Sequence, residues 1–116
     1  MTTTTECIFC NMVQDPMHSE PVYRDDRVFA VRDINPKAPV HMLIIPNIHI
    51  ASLAYVGPGQ VPIMGHMFVV AEEIARREGV ALSGYRLVLN QGDDSGQQIP
   101  HPHMHLLGGK KLGDMG

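Results

Sequence analysis

Near its C-terminal end the chain reads His101-Pro102-His103-Met104-His105-Leu106-Leu107, with three imidazoles at alternate positions. Side chains alternate across a β-strand. The pattern therefore predicts a strand over Pro102 to Leu107, with His101, His103 and His105 on one face, roughly 6.6 to 6.8 Å apart, and Pro102, Met104 and Leu106 on the other. Histidine titrates near neutral pH, and its neutral ring can act as a nucleophile or a metal ligand. Three in register point to proton, phosphate or metal chemistry, and strand histidines acting together as metal ligands are one form of it. A second pattern, Cys7-x-x-Cys10, has the spacing of paired zinc ligands, yet two cysteines fill only half of a tetrahedral site. Reduced buried cysteines or a redox pair use the same residues. His18 and His66 belong to no motif and read as surface or helix residues.

Elements must position these groups, and 116 residues provide one domain with one core, 1–116, whose ends 1–6 and 110–116 read as flexible. A hydrophobic content of 44% against 18% charged residues is that of a folding chain. A net charge of −3 supplies no broad positive field, which argues against nucleic acid as a partner. Met1 to Thr5 has no signal-like character and no apolar run reaches the ~20 residues of a membrane span, so the expectation is a cytoplasmic protein with no membrane partner. Phe9, Met12 and Val13 predict a short helix before Pro16. Val22 to Arg24 and Val28 to Arg32 read as strands joined by a tight Asp25-Asp26-Arg27 turn. Asp33 to Pro39 is a loop, and His41 to Ile45, stopped by Pro46, is an apolar strand for the middle of a sheet. After a break at Pro58 to Pro62, Ile63, Met67, Val70, Ala71 and Ile74 mark one face of a helix running to about Glu78 and stopping at Gly79. Glu72, Glu73, Arg76 and Arg77 fall on its wet side. Tyr85 to Leu89 is another strand, Gly92 to Gly96 a polar loop, and Gly108-Gly109 ends the last strand. The sum is an α+β fold: about five strands in a mainly antiparallel sheet, with one long and one short helix.

His101 to Leu107 resembles the alternating histidine signature of the histidine triad family. Asp33-Ile34-Asn35-Pro36-Lys37-Ala38-Pro39, His41 to Pro46, Leu89-Asn90-Gln91-Gly92 and Gly96-Gln97 resemble further family segments in the same order, so the similarity runs from about Cys7 to Gly109. The branch it is most similar to is the Hint hydrolases, which cleave purine nucleoside phosphoramidates to the nucleoside monophosphate. The resemblance implies a fold that pairs into a homodimer, a purine nucleotide conjugate as ligand and no organic cofactor. It implies His103 as the nucleophile forming a nucleotidyl-histidine, with His105, His41 and His101 supporting it. Asn90 and Gln97 would contact phosphate, Asp33 the ribose, and Ile34, Phe9 and Ile8 the base. Cleaving a phosphorus–nitrogen bond requires such a set: a nucleophile with one nitrogen held as N–H, a proton for the amine, and donors for the phosphate oxygens.

The same resemblance implies a structural zinc held by Cys7, Cys10, His49 and His101, as in some bacterial members and in galactose-1-phosphate uridylyltransferase. Two departures stand out. Gln98 occupies a position where Hint hydrolases carry Ser or Thr, and the tail from Lys110 lacks the tryptophan found in many relatives. Dinucleoside polyphosphate hydrolysis, nucleotidyl transfer, and purine-nucleotide binding without turnover are the alternative activities that these residues allow.

Overall fold

The computed structural model describes residues 21–50, 52–97 and 99–115. The short helix expected after Cys7, and with it Cys7, Ile8, Phe9 and Cys10, lies outside the described residues, as does Gln98. The elements are β1 (Tyr23–Arg24), β2 (Val28–Arg32), β3 (Val40–Pro46), α1 (Val61–Arg77), β4 (Tyr85–Leu89) and β5 (Met104–Gly108), with short 3-10 turns at Leu53–Tyr55 and Asp93–Ser95. The strands make one sheet in the order β1-β2-β3-β5-β4, with every pairing antiparallel. This is the expected α+β architecture, with β3 in the middle.

Alternation gives the sheet two distinct faces. On one, Val28, Ala30, Val40, Met42, Ile44, Met104 and Leu106 are buried against Met67, Val70, Ala71, Ile74 and Ala75 of α1. Truncating a large side chain in such a core costs about 2–5 kcal/mol. The 3.6-residue spacing on α1 selects this face, Pro62 sits in its first turn, and Gly79, at φ 76°, ends it in the left-handed conformation that glycine tolerates best. The opposite face carries Phe29, Val31, Leu43 and Ile45, and with them His41 and His105.

One element differs from the sequence expectation. The last strand begins at Met104 rather than Pro102 and extends to include Gly108. The register pairs Ile44 with Met104, so Pro102 would fall opposite Pro46. Neither proline has an N–H to donate, and the ladder cannot continue there. His101 and His103 therefore precede the strand. Gly108 stays within it, paired with Val40 and Tyr85, and a Cβ at that position would meet the Val80 side chain at 3.2 Å.

The β1–β2 turn is closed by Asp25. Its Oδ1 accepts the backbone N–H groups of Arg27 and Val28 at 2.7 and 2.8 Å, and its Oδ2 accepts the Tyr23 hydroxyl and the His66 Nε2, each at 2.7 Å. His66, which belongs to no motif, thereby ties α1 to the turn. Burial alone would raise the Asp25 carboxyl, but the bonds from His66, Tyr23, Val28 and Arg27 outweigh it and hold it well below the usual carboxylate range. The bond to Asp25 pushes the Tyr23 hydroxyl up to about 12. The unfolded chain binds a proton here that the folded chain refuses, so this stabilisation is present above about pH 4 and is lost as the pH falls below it. Asp25→Ala is expected to lower stability by about 2–4 kcal/mol at neutral pH and to flatten the acid limb of a melting-temperature profile between about pH 4 and 2. A variant that melts like the wild type would refute this role.

Candidate functional site

The β3–β5 register sets His41 opposite Leu107 and Leu43 opposite His105, so His41 and His105 are diagonal neighbours on the open face. Their rings meet: His41 Nε2 lies 2.9 Å from His105 Nδ1, with ring centroids 5.2 Å apart. Asp33, just past β2, brings Oδ2 to 3.4 Å from the same His41 nitrogen, and its Oδ1 accepts the Asn35 N–H at 2.8 Å. On the other side of the ring, His41 Nδ1 accepts the backbone N–H of Lys37 at 3.0 Å.

His103 lies beside this pair, its ring centroid 5.1 Å from that of His105. Its Nδ1 is 2.8 Å from the carbonyl oxygen of His101. A carbonyl only accepts, so Nδ1 carries the proton, and in the neutral ring Nε2 carries the lone pair.

His103, His105, His41, Asp33, Ile34, Asn90 and Gln97 line one cavity of about 590 Å³. Val31, Leu43, Val88, Ile99 and Leu107 supply its apolar wall. Motif matching missed these, although simple alternation puts Leu43 and Leu107 on the same face as His41 and His105. Ile34 lines the rim and is 95% exposed. Gln97 braces its own loop: Oε1 accepts the Gly92 N–H at 2.8 Å and Nε2 donates to the Ile99 carbonyl at 3.2 Å. An amide nitrogen has two hydrogens, so one remains to meet a ligand.

Burial pushes the His41 imidazole below its ordinary range, with Asp33 opposing and Lys37 adding to the shift. Burial, with His103 and His41 alongside, pushes His105 down to about 4. Both shifts favour the neutral ring, which offers N–H groups and lone pairs rather than cationic charge.

His101 does not line the cavity. It is fully buried behind it, with Nε2 2.9 Å from the Pro46 carbonyl and Nδ1 3.2 Å from His49 Nδ1. The Pro46 carbonyl fixes the proton of His101 on Nε2 and leaves Nδ1 with the lone pair, as a ligating imidazole requires. Burial pushes this ring down to about 4, outweighing the pull of that carbonyl. Two nitrogens on a tetrahedral zinc with bonds of 2.0–2.1 Å lie about 3.3 Å apart. The His49–His101 pair has that spacing, so it fits the expected zinc. A third grouping, Asp33, His41 and His105, brings its ligand atoms within 4.8 Å of one another.

Comparison with known proteins places the sequence and the fold among relatives. A family model for the HIT domain matches residues 15–112. The chain is 47% identical over 110 residues to purine nucleoside phosphoramidase of Escherichia coli (strain K12), covering 95% of this chain and 92% of that protein. It is 40% identical over 107 residues to a 14 kDa zinc-binding protein of Zea mays, covering 90% of this chain and 83% of that one. Among solved structures, a HIT family hydrolase from Legionella pneumophila Philadelphia 1 superposes with a TM-score of 0.88 at 38% identity, covering 92% of this chain and 96% of that one. No helix among the described residues is long and apolar enough to cross a membrane.

Proposed function

Since the chain belongs to the HIT, or histidine triad, family, we propose that it hydrolyses purine nucleoside phosphoramidates to the nucleoside monophosphate through a nucleotidyl intermediate on His103. The observation that carries this reading is the 2.8 Å bond from His103 Nδ1 to the His101 carbonyl. It puts the lone pair on Nε2 of a ring that lines a cavity of about 590 Å³, within the 300–1,000 Å³ range of small-ligand pockets. The named activity of the E. coli relative, at 47% identity, supports the choice of substrate.

Attack by Nε2 on the α-phosphorus forms one phosphorus–nitrogen bond as the bond to the amine breaks, and the amine leaves with a proton drawn from solvent, which the attacking water of the second step returns. Positive charge develops on the His103 ring, and the His101 carbonyl dipole faces the Nδ1–H that shares it. Asn90 and the remaining Gln97 hydrogen are the donors for phosphate oxygens. The Asp33 carboxylate, at the cavity edge, accepts from ribose hydroxyls, and Ile34 closes over the base. Water then cleaves the nucleotidyl-imidazole, so that the net reaction adds one water across the original bond.

Zinc at Cys7, Cys10, His49 and His101 would pin the N-terminal segment behind the catalytic loop and supply structure rather than chemistry. The His49–His101 geometry and the zinc-binding relative support it. A homodimer is supported by the outer surface. Phe68 and Val69 on α1 are 57% and 64% exposed, next to Val61 and the small Gly65. The outer edge of β4 pairs with no strand among the described residues. A second copy would cover these apolar side chains and continue the sheet.

Three measurements test these statements. With an adenosine phosphoramidate, His103→Ala is expected to release AMP at least ~10³-fold more slowly than wild type, and quenched wild type to carry the nucleotidyl mass on the His103 peptide. A mutant within about tenfold of wild type would remove His103 from this role. Zinc should co-purify at roughly one ion per chain and be lost in Cys7→Ser and His49→Ala; zinc-free wild-type protein refutes the site. Sedimentation should give a dimer that Phe68→Asp converts to monomer, and a monomeric wild type ends that reading.

A further inference from the structure

A neutral imidazole carries one proton, so each of its nitrogens is either a donor or an acceptor. The tautomer of a buried ring follows from what faces it. A backbone N–H only donates, and the Lys37 N–H stands 3.0 Å from His41 Nδ1. Nδ1 is thus an acceptor, and the proton of His41 is on Nε2. The other side of the ring agrees independently, because the Asp33 carboxylate oxygen Oδ2, which only accepts, stands 3.4 Å from Nε2, with His105 Nδ1 at 2.9 Å from the same nitrogen. If His41 donates to His105 Nδ1, the proton of His105 is forced onto Nε2, the nitrogen this lining residue has left to offer the cavity.

We propose that the backbone N–H of Lys37, acting through His41, fixes His105 as a hydrogen-bond donor toward the ligand phosphate. The Lys37 side chain is exposed, and its contribution here is a main-chain one. Without that N–H the chain of bonds can run in reverse: His41 protonated on Nδ1, His105 donating from Nδ1 to His41, and a lone pair on His105 Nε2 facing phosphate oxygens. The first arrangement attracts an anion and the second repels it. Lys37 is therefore a positioning residue two histidines removed from the ligand. Its own placement comes from the Asn35-Pro36-Lys37-Ala38-Pro39 loop, where prolines on both sides restrict the backbone.

The same bookkeeping bears on Asp33, His41 and His105 as a metal site. A metal on His41 Nε2 would have to displace the proton held there, and moving it to Nδ1 would set one N–H against another at Lys37. The wiring favours the proton over a metal at this position.

The donor role toward phosphate rests on the nucleotide reading above, whereas the tautomers do not. The test separates the two. In ligand-free, 15N-labelled protein at neutral pH, long-range proton–nitrogen spectra are expected to show His41 and His105 each protonated on Nε2 with a bare Nδ1. A proton on His41 Nδ1 in the wild type overturns the proposal whatever the enzyme hydrolyses. Lys37→Ala keeps the N–H and should keep this pattern. Lys37→Pro removes it and should mix the tautomers of both rings and weaken AMP binding by about 10- to 100-fold, the range for losing one hydrogen bond to a charged group. If the proline variant does not fold, replacing the residue 37 amide by an ester deletes only the N–H and serves the same purpose. An unchanged nitrogen pattern in the folded proline or ester variant refutes the role of Lys37. Altered tautomers with unchanged AMP affinity refute the donor role of His105. A wild type that shows the expected tautomers but hydrolyses no phosphoramidate removes the substrate assignment and leaves the tautomer wiring in place.

Discussion

The antiparallel register of β3 against β5, with Met42 opposite Leu106 and Ile44 opposite Met104, governs both halves of the molecule. It stacks apolar side chains under α1 and, one residue out of phase, brings His41 and His105 to the open face, where their rings meet at 2.9 Å. A slip of one residue would carry imidazoles under the helix and methionines into the cavity. The buried helix face thus enforces the geometry of the site. The core cannot be satisfied in another register, and the His41–His105 pair is read off the same pleat.

Where that register stops matters as much as where it runs. Pro46 and Pro102 would face each other, and their missing N–H groups end the ladder before His103. A carbonyl inside a ladder is directed at the neighbouring strand. Released from it, the carbonyl of His101 turns instead to the ring of His103 two residues on. The two histidines then part company. His103 goes to the cavity and His101 goes behind it, onto the Pro46 carbonyl and beside His49.

Much of this is legible in the sequence, for identifiable reasons. The helix face of Met67, Val70, Ala71 and Ile74 and the buried run of β3 follow from periodicity, which burial against a sheet enforces. The triad spacing marks the position of the site. Treating all three imidazoles as one strand face misses the opposition of two prolines, which depends on pairing between segments more than fifty residues apart. The bond from the Lys37 amide to His41 is invisible for another reason: it is a main-chain contact, and the identity of the side chain does not encode it. His66 likewise gives no signal, because its partner Asp25 lies 41 residues away in a turn whose folding creates the contact. Leu43 and Leu107 were within reach of simple alternation, since the period that places the histidines places them too.

A cavity proposed to bind a nucleotide phosphate in a chain of net charge −3 cannot rely on the field of the whole molecule. The histidine cluster suggests a local solution with a further advantage. In the proposed reaction, attack through the His103 ring would make that ring positive, and His105 stands 5.1 Å away, centroid to centroid. Were His105 protonated, the two like charges at that distance would oppose each other by about 3 kcal/mol at an effective dielectric constant of about 20. Placed in the transition state, that cost amounts to roughly two orders of magnitude in rate. Burial favours the uncharged form further, pushing His105 down to about 4 and His41 below its ordinary range. What remains at neutral pH is a pair of uncharged rings whose polarity is set by hydrogen bonds. In the proposed reaction they would present an N–H to phosphate without adding a positive charge beside the one that attack by His103 creates.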